Sequence, residues 1–473
     1  MRARSVNEIA AAVGGRVLMG DGERLVRNIS LDSRKMAGDD LFVPIVGERV
    51  DAHRFICQAF SQGAAAAFTS AHSSRGEAEA GLRAWDGDQE RLKDCAWIGV
   101  EDTRGALQRL GSYCRSQLSI PIVGITGSVG KTTTREMIAA ALGAGFSVYR
   151  TPGNSNSQVG VPITMCSIPQ TAGIAVIELG MSEPGEMERI ARVARVDCAV
   201  VTNIGVAHIE QLGSQENILR EKLKIQAGMP EGGILFLNGD DPLLSGVKAE
   251  KGIKTVRYGR SPDCQCRAED VQLKDGYPVF TAVCGGKRVP VRLGVMGLHM
   301  VSNALAALAV ADAYGIPLEK AAGELEQFRG FQGRQQIFES RGITVVDDSY
   351  NASPVSMKAG LEVLASMKPG ARKIAVLADM KELGPDSLLF HRQIGYYLAE
   401  HPVDQVILLG ELAREIQAGM EEKGAAGGVQ AFGCLEDVRQ WLRKEARAGD
   451  CILLKGSNCM RLGELGADLR ETP

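Results

Sequence analysis

Ile120-Pro-Ile-Val-Gly-Ile125, followed after Thr126 by Gly127-Ser-Val-Gly-Lys-Thr-Thr133, decides the fold. An apolar run, a Gly-rich turn and then Thr132-Thr-Thr-Arg-Glu-Met-Ile-Ala-Ala-Ala141 predict a strand, a loop and a helix. In that context the loop is a phosphate cradle. The N–H groups of Gly127, Ser128, Val129, Gly130 and of the first helical turn, Lys131 to Thr133, face an anion that the helix dipole also favours. Lys131 is placed to reach the β- and γ-phosphates of a nucleotide, and the Thr132 hydroxyl to hold Mg²⁺. The match is to the short G-x-x-G-K-T form, because Ile125 stands where the longer motif has its first glycine. A bare Gly-Lys-Thr can also be a turn with a solvated lysine; the flanking strand and helix favour nucleotide binding.

Outward from this loop, strands alternate with helices. Apolar runs at 172–177 and 196–204 are followed by Glu178 and by Thr202-Asn203 with His208, and the run 234–238 closes on Asn238-Gly-Asp-Asp-Pro242. This alternation predicts an α/β architecture whose centre is a doubly wound, mostly parallel sheet. Polar residues at the carboxyl ends of such strands surround the ligand crevice, which brings Glu178, Asn203 and His208 toward Thr132. Residues 148–156 contain Pro-Gly and two asparagines and predict a loop. From 254 to 296 short alternating runs predict antiparallel strands, and an Ala-rich helix is expected over 302–313.

Three domains are expected: a small N-terminal α/β domain over 1–115, the central P-loop domain over 116–328, and a C-terminal Rossmann-like α/β domain over 329–473. In the first, helices are predicted over 6–13 and 52–62, with strands at 16–18, 41–44 and 64–69; the polar stretch 75–94 reads as a surface excursion or variable helix. Asp32-Ser-Arg34 could grip a polar ligand or serve as a turn. In the third domain, Asp347-Asp-Ser-Tyr-Asn-Ala-Ser-Pro354 and Asp379-Met-Lys-Glu-Leu-Gly384 follow predicted strands, and a helix is expected over 411–420. Two polar strand ends on a domain hinged to a nucleotide site predict a lid that completes the site on closing.

Composition narrows the classes. Of 473 residues 45% are hydrophobic and 23% charged, ordinary for globular domains. A net charge of −3 gives no case for nucleic acid. No apolar run approaches the ~20 residues of a membrane span, and the start lacks the apolar core of a signal peptide. The eleven cysteines lie mostly in apolar segments and are expected as reduced thiols in a cytoplasmic protein, with Cys264-Gln-Cys266 an incidental pair. Glu178 suits Mg²⁺ beside phosphate, since that ion takes one or two carboxylates plus phosphate and water. His208 could be a metal or phosphate contact. Lys222 reads as one more exposed helix lysine. On the residues alone the chain is an ATP-dependent transferase or ligase, with a nucleotide-gated switch as the alternative from another class.

The motifs Thr126-Gly-Ser-Val-Gly-Lys-Thr132, Thr151-Pro-Gly-Asn-Ser-Asn156, Glu178-Leu-Gly180, Thr202-Asn-Ile-Gly-Val-Ala-His208, Glu221-Lys222, Asn303 and Asp347-Asp-Ser-Tyr-Asn351 resemble, in order and along the whole chain, the Mur ligases of peptidoglycan synthesis. Asp32-Ser-Arg34, Ala378-Asp-Met-Lys-Glu-Leu-Gly384 and Leu454-Lys-Gly-Ser457 are similar to the member that adds D-Ala-D-Ala to UDP-N-acetylmuramoyl-tripeptide, two small-molecule partners. The resemblance implies an ATP-dependent acyl-phosphate mechanism with Lys131, His208 and Lys222 catalytic. It implies Mg²⁺ on Thr132 and Glu178, and a second Mg²⁺ on His208 and a carbamylated Lys222. It places Asn303 on adenine, and Arg334 and Asp348 on nucleotide phosphate and ribose. It further places Ser33 and Arg34 on the UDP end, Asn154 and Asn156 on the muramoyl portion, and Asn351 near the dipeptide. A cytoplasmic monomer is expected, neither integral to a membrane nor bound to nucleic acid. Three departures stand out: Ser157 for a second asparagine, His299-Met300 for His-Asn, and Asn458 for an arginine. A sister ligase, such as the diamino-acid-adding enzyme or a folylpolyglutamate synthase, is the neighbouring alternative; the Asp-Asn-Pro-Arg motif typical of the former is absent.

Overall fold

Ile122–Thr126 is buried along its whole length, as a strand covered by helices on both faces must be. Its side chains alternate between two cores. Val123 and Ile125 join the layer containing helices Lys131–Gly143 and Met300–Ala313. Ile122 instead joins the layer containing Gly160–Ser167 and Glu186–Ala194. The computed structural model describes residues 2–87, 92–425 and 427–471; residues 88–91 of the polar stretch 75–94 therefore lie outside the described residues, and Arg75–Arg83 of it is a helix.

The central sheet has nine strands. Val148–Arg150, Ile174–Glu178, Ile122–Thr126, Cys198–Val201, Ile234–Asn238 and Lys254–Gly259 lie side by side in that order, all parallel. Ile122–Thr126 sits between strands that follow it in the chain on opposite sides, so the order reverses there and a crevice opens beyond its carboxyl end. Of the strands over 254–296, expected to be antiparallel, Cys266–Lys274, Tyr277–Cys284 and Lys287–Arg292 pair with one another in that sense, whereas Lys254–Gly259 is parallel to both its neighbours, and all extend the same sheet. Cys266–Lys274 pairs parallel with Lys254–Gly259, and Tyr277–Cys284 and Lys287–Arg292 follow as a meander. Val148–Arg150, expected in a loop, is the short edge strand; three half-exposed residues carry no period for sequence reading to detect.

A five-stranded sheet precedes this one, in the order Arg16–Met19, Ala96–Gly99, Ala64–Thr69, Asp40–Phe42 and Asn28–Ser30. The helix expected over 52–62 divides into a 3₁₀ turn, Ala52–Phe55, and a short α-helix, Ile56–Ser61. The last sheet orders Gln336–Ser340, Ile343–Asp348, Cys451–Lys455, Lys373–Ala378, Gln405–Leu409 and Val429–Phe432, parallel except for the first pair. The helix expected over 411–420 runs from Arg414 to Glu422; Asp379 accepts the Ala413 N–H at 2.8 Å and fixes its approach. The thiol expectation needs one correction. Cys266 and Cys284 face each other across the antiparallel ladder and form a disulfide, with Cα atoms 4.2 Å apart; the other nine cysteines form no disulfide among the described residues. Among the described residues no helix is long and apolar enough to cross a membrane.

Candidate functional site

The phosphate loop is stitched to the neighbouring strand end. Ser128 N–H donates to the Asn203 carbonyl at 3.0 Å, and Val129 N–H to Asn203 Oδ1 at 2.9 Å. Asn203 Nδ2 returns a bond to the Val129 carbonyl at 2.9 Å, and Thr202 Oγ1 donates to the same oxygen at 2.6 Å. Ser128 Oγ accepts from Gly205 N–H at 2.8 Å. Gly127 has φ +149, and a Cβ there would lie 1.9 Å from Thr202 Oγ1, so only glycine fits. These bonds occupy part of the loop. The amides of Ser128 and Val129 are taken up by Asn203, and the open donors lie at Gly130 and the first helical turn. Gly130 caps helix Lys131–Gly143 in the left-handed conformation, and the N–H groups of Lys131, Thr132 and Thr133 have no intrahelical acceptor.

Thr132 Oγ1 donates to Glu178 Oε2 at 2.9 Å, which brings the two expected Mg²⁺ ligands together. Glu178 is 3% exposed and closely supported. Its Oε1 accepts from Asn156 Nδ2 at 2.8 Å, and its N–H donates to Thr151 Oγ1 at 3.0 Å. Asn156, expected on the muramoyl portion, directs its amide to Glu178. Asn154, two residues earlier, is exposed. Arg135, which sequence reading passed over as a helix residue, lies beneath. Its guanidinium spans Glu136 at 2.6 Å, the Gly153 carbonyl at 2.8 Å and Glu178 at 3.5 Å, and Arg150 closes the network on Glu136 at 2.9 Å. A basic residue one helical turn after the P-loop lysine is the signal that could have found it.

Lys131 folds over the loop, its Nζ donating to the Gly127 carbonyl at 2.8 Å and to the Ser128 carbonyl at 3.4 Å. Lys222 is buried, not an exposed helix lysine, and donates to the same Gly127 carbonyl at 3.0 Å. Removal from water lowers the pKa of both ammonium groups, that of Lys222 well below the usual value, with the Lys131 charge adding to its shift. Asn303 accepts from Thr134 Oγ1 at 3.1 Å, and its Oδ1 lies 3.3 Å from where a Gly130 Cβ would stand. The adenine residue of the resemblance thus adjoins the loop. Met300, the departure from the usual asparagine, offers its sulfur to Asn303 Nδ2 at 3.6 Å.

The third domain closes on the same crevice. Arg334 lies over the Tyr350 ring at 4.1 Å, and burial lowers its pKa, a shift that the nearby carboxylates of Asp348 and Glu178 oppose. Asp348 Oδ1 accepts the Gln335 N–H at 3.2 Å, and Oδ2 pairs with the buried Lys455 ammonium. Lys455 also donates to the Asn351 carbonyl at 3.3 Å, while the Asn351 side chain is exposed. His208 contacts Glu382 at 2.9 Å. Asn458 is exposed, and Arg461 is engaged with Glu464 at 2.5 Å. Ser33 and Arg34 stand apart, in the first sheet's domain. Ser33 Oγ donates inward to Gln58 at 3.3 Å, and Arg34 forks onto Asp32 at 2.8 and 2.9 Å.

This donor set suits Mg²⁺ held with a nucleotide. Among the described residues no group of three or more His, Cys, Asp and Glu side chains is arranged to hold a metal unaided. One carboxylate and one hydroxyl beside an N–H cradle leave the remaining positions to phosphate and water.

Comparison with known proteins agrees with this arrangement along the whole chain. The Mur ligase family, catalytic domain model matches residues 25–113, the Mur ligase middle domain 125–311, and the Mur ligase, glutamate ligase domain 333–458. UDP-N-acetylmuramoyl-tripeptide--D-alanyl-D-alanine ligase of Bacillus subtilis (strain 168) is 35% identical over 473 residues, 99% of each chain. A crystal structure of MurF from Acinetobacter baumannii superposes with a TM-score of 0.87 at 28% identity, covering 100% of both chains. The MurF ligase of Thermotoga maritima in complex with ADP gives 0.78 at 27% identity, covering 94% of this chain and 98% of that one. The chain belongs to the Mur ligase family.

Proposed function

We propose that this protein joins D-alanyl-D-alanine to UDP-N-acetylmuramoyl-tripeptide, converting ATP to ADP and phosphate. One observation carries the reading. The Thr132–Glu178 pair stands beside Lys131 on a phosphate loop, in a chain related end to end to a ligase of that name. The tripeptide's terminal carboxylate attacks the γ-phosphorus and ADP leaves, giving an acyl phosphate. The dipeptide amine then attacks the acyl carbon, releasing phosphate and a proton. Bringing a carboxylate to a polyanion requires positive charge in a fixed place. Lys131 and the N-terminus of helix Lys131–Gly143 provide it on the floor, and Arg334 from the roof.

Thr132 and Glu178 would hold one Mg²⁺, and His208 with Lys222 a second; bound there, the ions would neutralise phosphate charge. Lys222 suits a modified form. Burial and the neighbouring Lys131 ammonium drive the Lys222 amine toward neutrality, against the pull of the Glu221 carboxylate, and a neutral amine adds CO₂ to give a carbamate and a proton. Asn303 would meet adenine, Asp348 the ribose, Ser33 and Arg34 the UDP end, Asn154 the sugar side and Asn351 the dipeptide. For Ser33 and Arg34 this requires release from Gln58 and Asp32. The protein would act as a cytoplasmic monomer.

The test is Mg²⁺-dependent phosphate release from ATP with UDP-N-acetylmuramoyl-tripeptide, with and without D-Ala-D-Ala. Release that requires both, with a pentapeptide product by mass, is expected. Turnover with a different amine would move the reading to a sister ligase, and binding without turnover to a switch.

A further inference from the structure

The loop that follows strand Lys373–Ala378 carries Glu382 to the neighbouring domain, where its Oε2 lies 2.9 Å from His208 Nδ1. Both ends of this contact are held in unusual backbone. His208 begins the short helix Ile209–Leu212 at φ 64, and Glu382 also has φ 64, a region that L side chains rarely adopt. Left-handed non-glycine residues persist where the surroundings require them, and they gather at ligand clamps and switches.

The third domain fixes its side of the contact firmly. Met380 N–H donates to His391 Nε2 at 2.9 Å, and Lys381 N–H to Ser457 Oγ at 2.9 Å. Asp379 accepts from Ala413 N–H and from Lys381 Nζ, each at 2.8 Å, while Met380 and Leu383 are buried. Glu382 is the exposed tip of an anchored loop. On the other side, Val206 packs against the third domain's core, and a Cβ on Gly384 would lie 3.5 Å from the Glu210 Cα. The two surfaces are therefore in contact at the foot of the His208 loop. That loop also carries Gly205, bonded to Ser128 of the phosphate loop.

As it stands, the buried Nδ1 lies 2.9 Å from Oε2 but is not aligned for a hydrogen bond; turned onto that carboxylate, an imidazole keeps its proton on Nδ1 and leaves the Nε2 lone pair for a metal, with tautomer and ring direction both fixed. We propose that Glu382 is a positioning residue that the third domain delivers to His208, setting the imidazole as an Nε2 donor. The cation site on the central domain would then be complete only while the two domains are together. This rests on the ligase reading, in which His208 faces a divalent cation.

The experiment uses the full chain, with Mn²⁺ as probe. Mn²⁺ binding in the presence of ADP is followed by electron paramagnetic resonance for the wild type, E382Q, E382A and E382D. Domain approach is followed by energy transfer between dyes on the central and third domains. E382Q and E382A are expected to weaken Mn²⁺ binding about 10- to 100-fold, to lower kcat while leaving KM for ATP within about twofold, and to reduce the ADP-induced approach. E382D, which keeps the charge, should recover part of each. Mn²⁺ affinity, approach and kcat equal to wild type in E382Q would overturn the proposal. So would a lowered melting temperature with metal affinity unchanged, since the contact would then be merely mechanical. A wild type that binds no Mn²⁺ with ADP would instead count against the ligase reading.

Discussion

Glu178, on the floor of the crevice, receives bonds from Thr132, Asn156 and Arg135 and is 3% exposed. Asn351, in the third domain, is exposed, and its side chain accepts only the N–H of the next residue, at 2.9 Å. The floor is assembled before any ligand arrives, because parallel strand ends and a buried ion network fix it. The roof holds side chains on anchored loops, and one of them, Glu382, meets His208 across the domain boundary. Floor residues should therefore fail in chemistry or folding, and roof residues in assembly.

Lys131→Ala gives the largest expected effect. Removing a cation at the transferring phosphoryl group should lower turnover by about 10³- to 10⁵-fold. The side chain makes only two bonds to its own loop, so the circular-dichroism spectrum should stay native. Substantial turnover with a native spectrum would remove the floor from the chemistry.

Arg135→Ala separates support from chemistry. It leaves Glu136 and Glu178 as buried carboxylates without their shared guanidinium, a kind of loss that costs about 3–5 kcal/mol. Urea unfolding should show it. A change within ~0.5 kcal/mol would mean that Arg150 and solvent compensate, and that the floor is less rigid than its bonds suggest.

Asn203→Ala should cost less. The Val129 N–H loses its acceptor, a penalty of about 1–3 kcal/mol if water cannot replace it. The Val129 carbonyl keeps the Thr202 bond, so the loop should loosen without collapsing. KM for ATP is expected to rise more than kcat falls. The reverse pattern would assign Asn203 to the transition state and blur the division between framework and chemistry.

How much of this the sequence disclosed follows the same division. Gly127–Thr133 and Glu178 were legible because strand, turn and helix are local patterns, and because strand ends in a parallel sheet converge by topology. Lys222 was illegible from local pattern: a lysine in Glu221-Lys-Leu-Lys-Ile225 resembles any solvated helix residue, and only tertiary packing buries it. Only the resemblance singled it out. The Asn156 bond to Glu178 and the Glu382 contact with His208 arise between segments far apart in the chain, where spacing carries no signal. The antiparallel strands of 254–296 were legible as strands, but their pairing onto Lys254–Gly259 depends on which sheet edge is open.

The smallest effect concerns how the roof is held. His391 is fully buried, its Nδ1 2.6 Å from the Ser387 carbonyl and its Nε2 accepting from Met380 N–H at 2.9 Å. Both nitrogens are committed, one as donor and one as acceptor, so the ring is neutral; burial lowers its pKa, although the Ser387 carbonyl opposes the shift. An unfolded chain takes up this proton near pH 6.5, and the folded chain only at lower pH. Stability from this group is complete above about pH 6.5 and falls as pH drops toward the folded value, by at most about 1.4 kcal/mol per pH unit. Protonation would set an N–H against the Met380 N–H and release the loop that carries Glu382. Urea unfolding at pH 7.5 and 5.5 should show a loss on the order of 1 kcal/mol greater in the wild type than in His391→Gln, which does not titrate. Equal slopes would mean that the loop is held by Asp379 and Ser457 alone, and that the roof is anchored independently of this histidine.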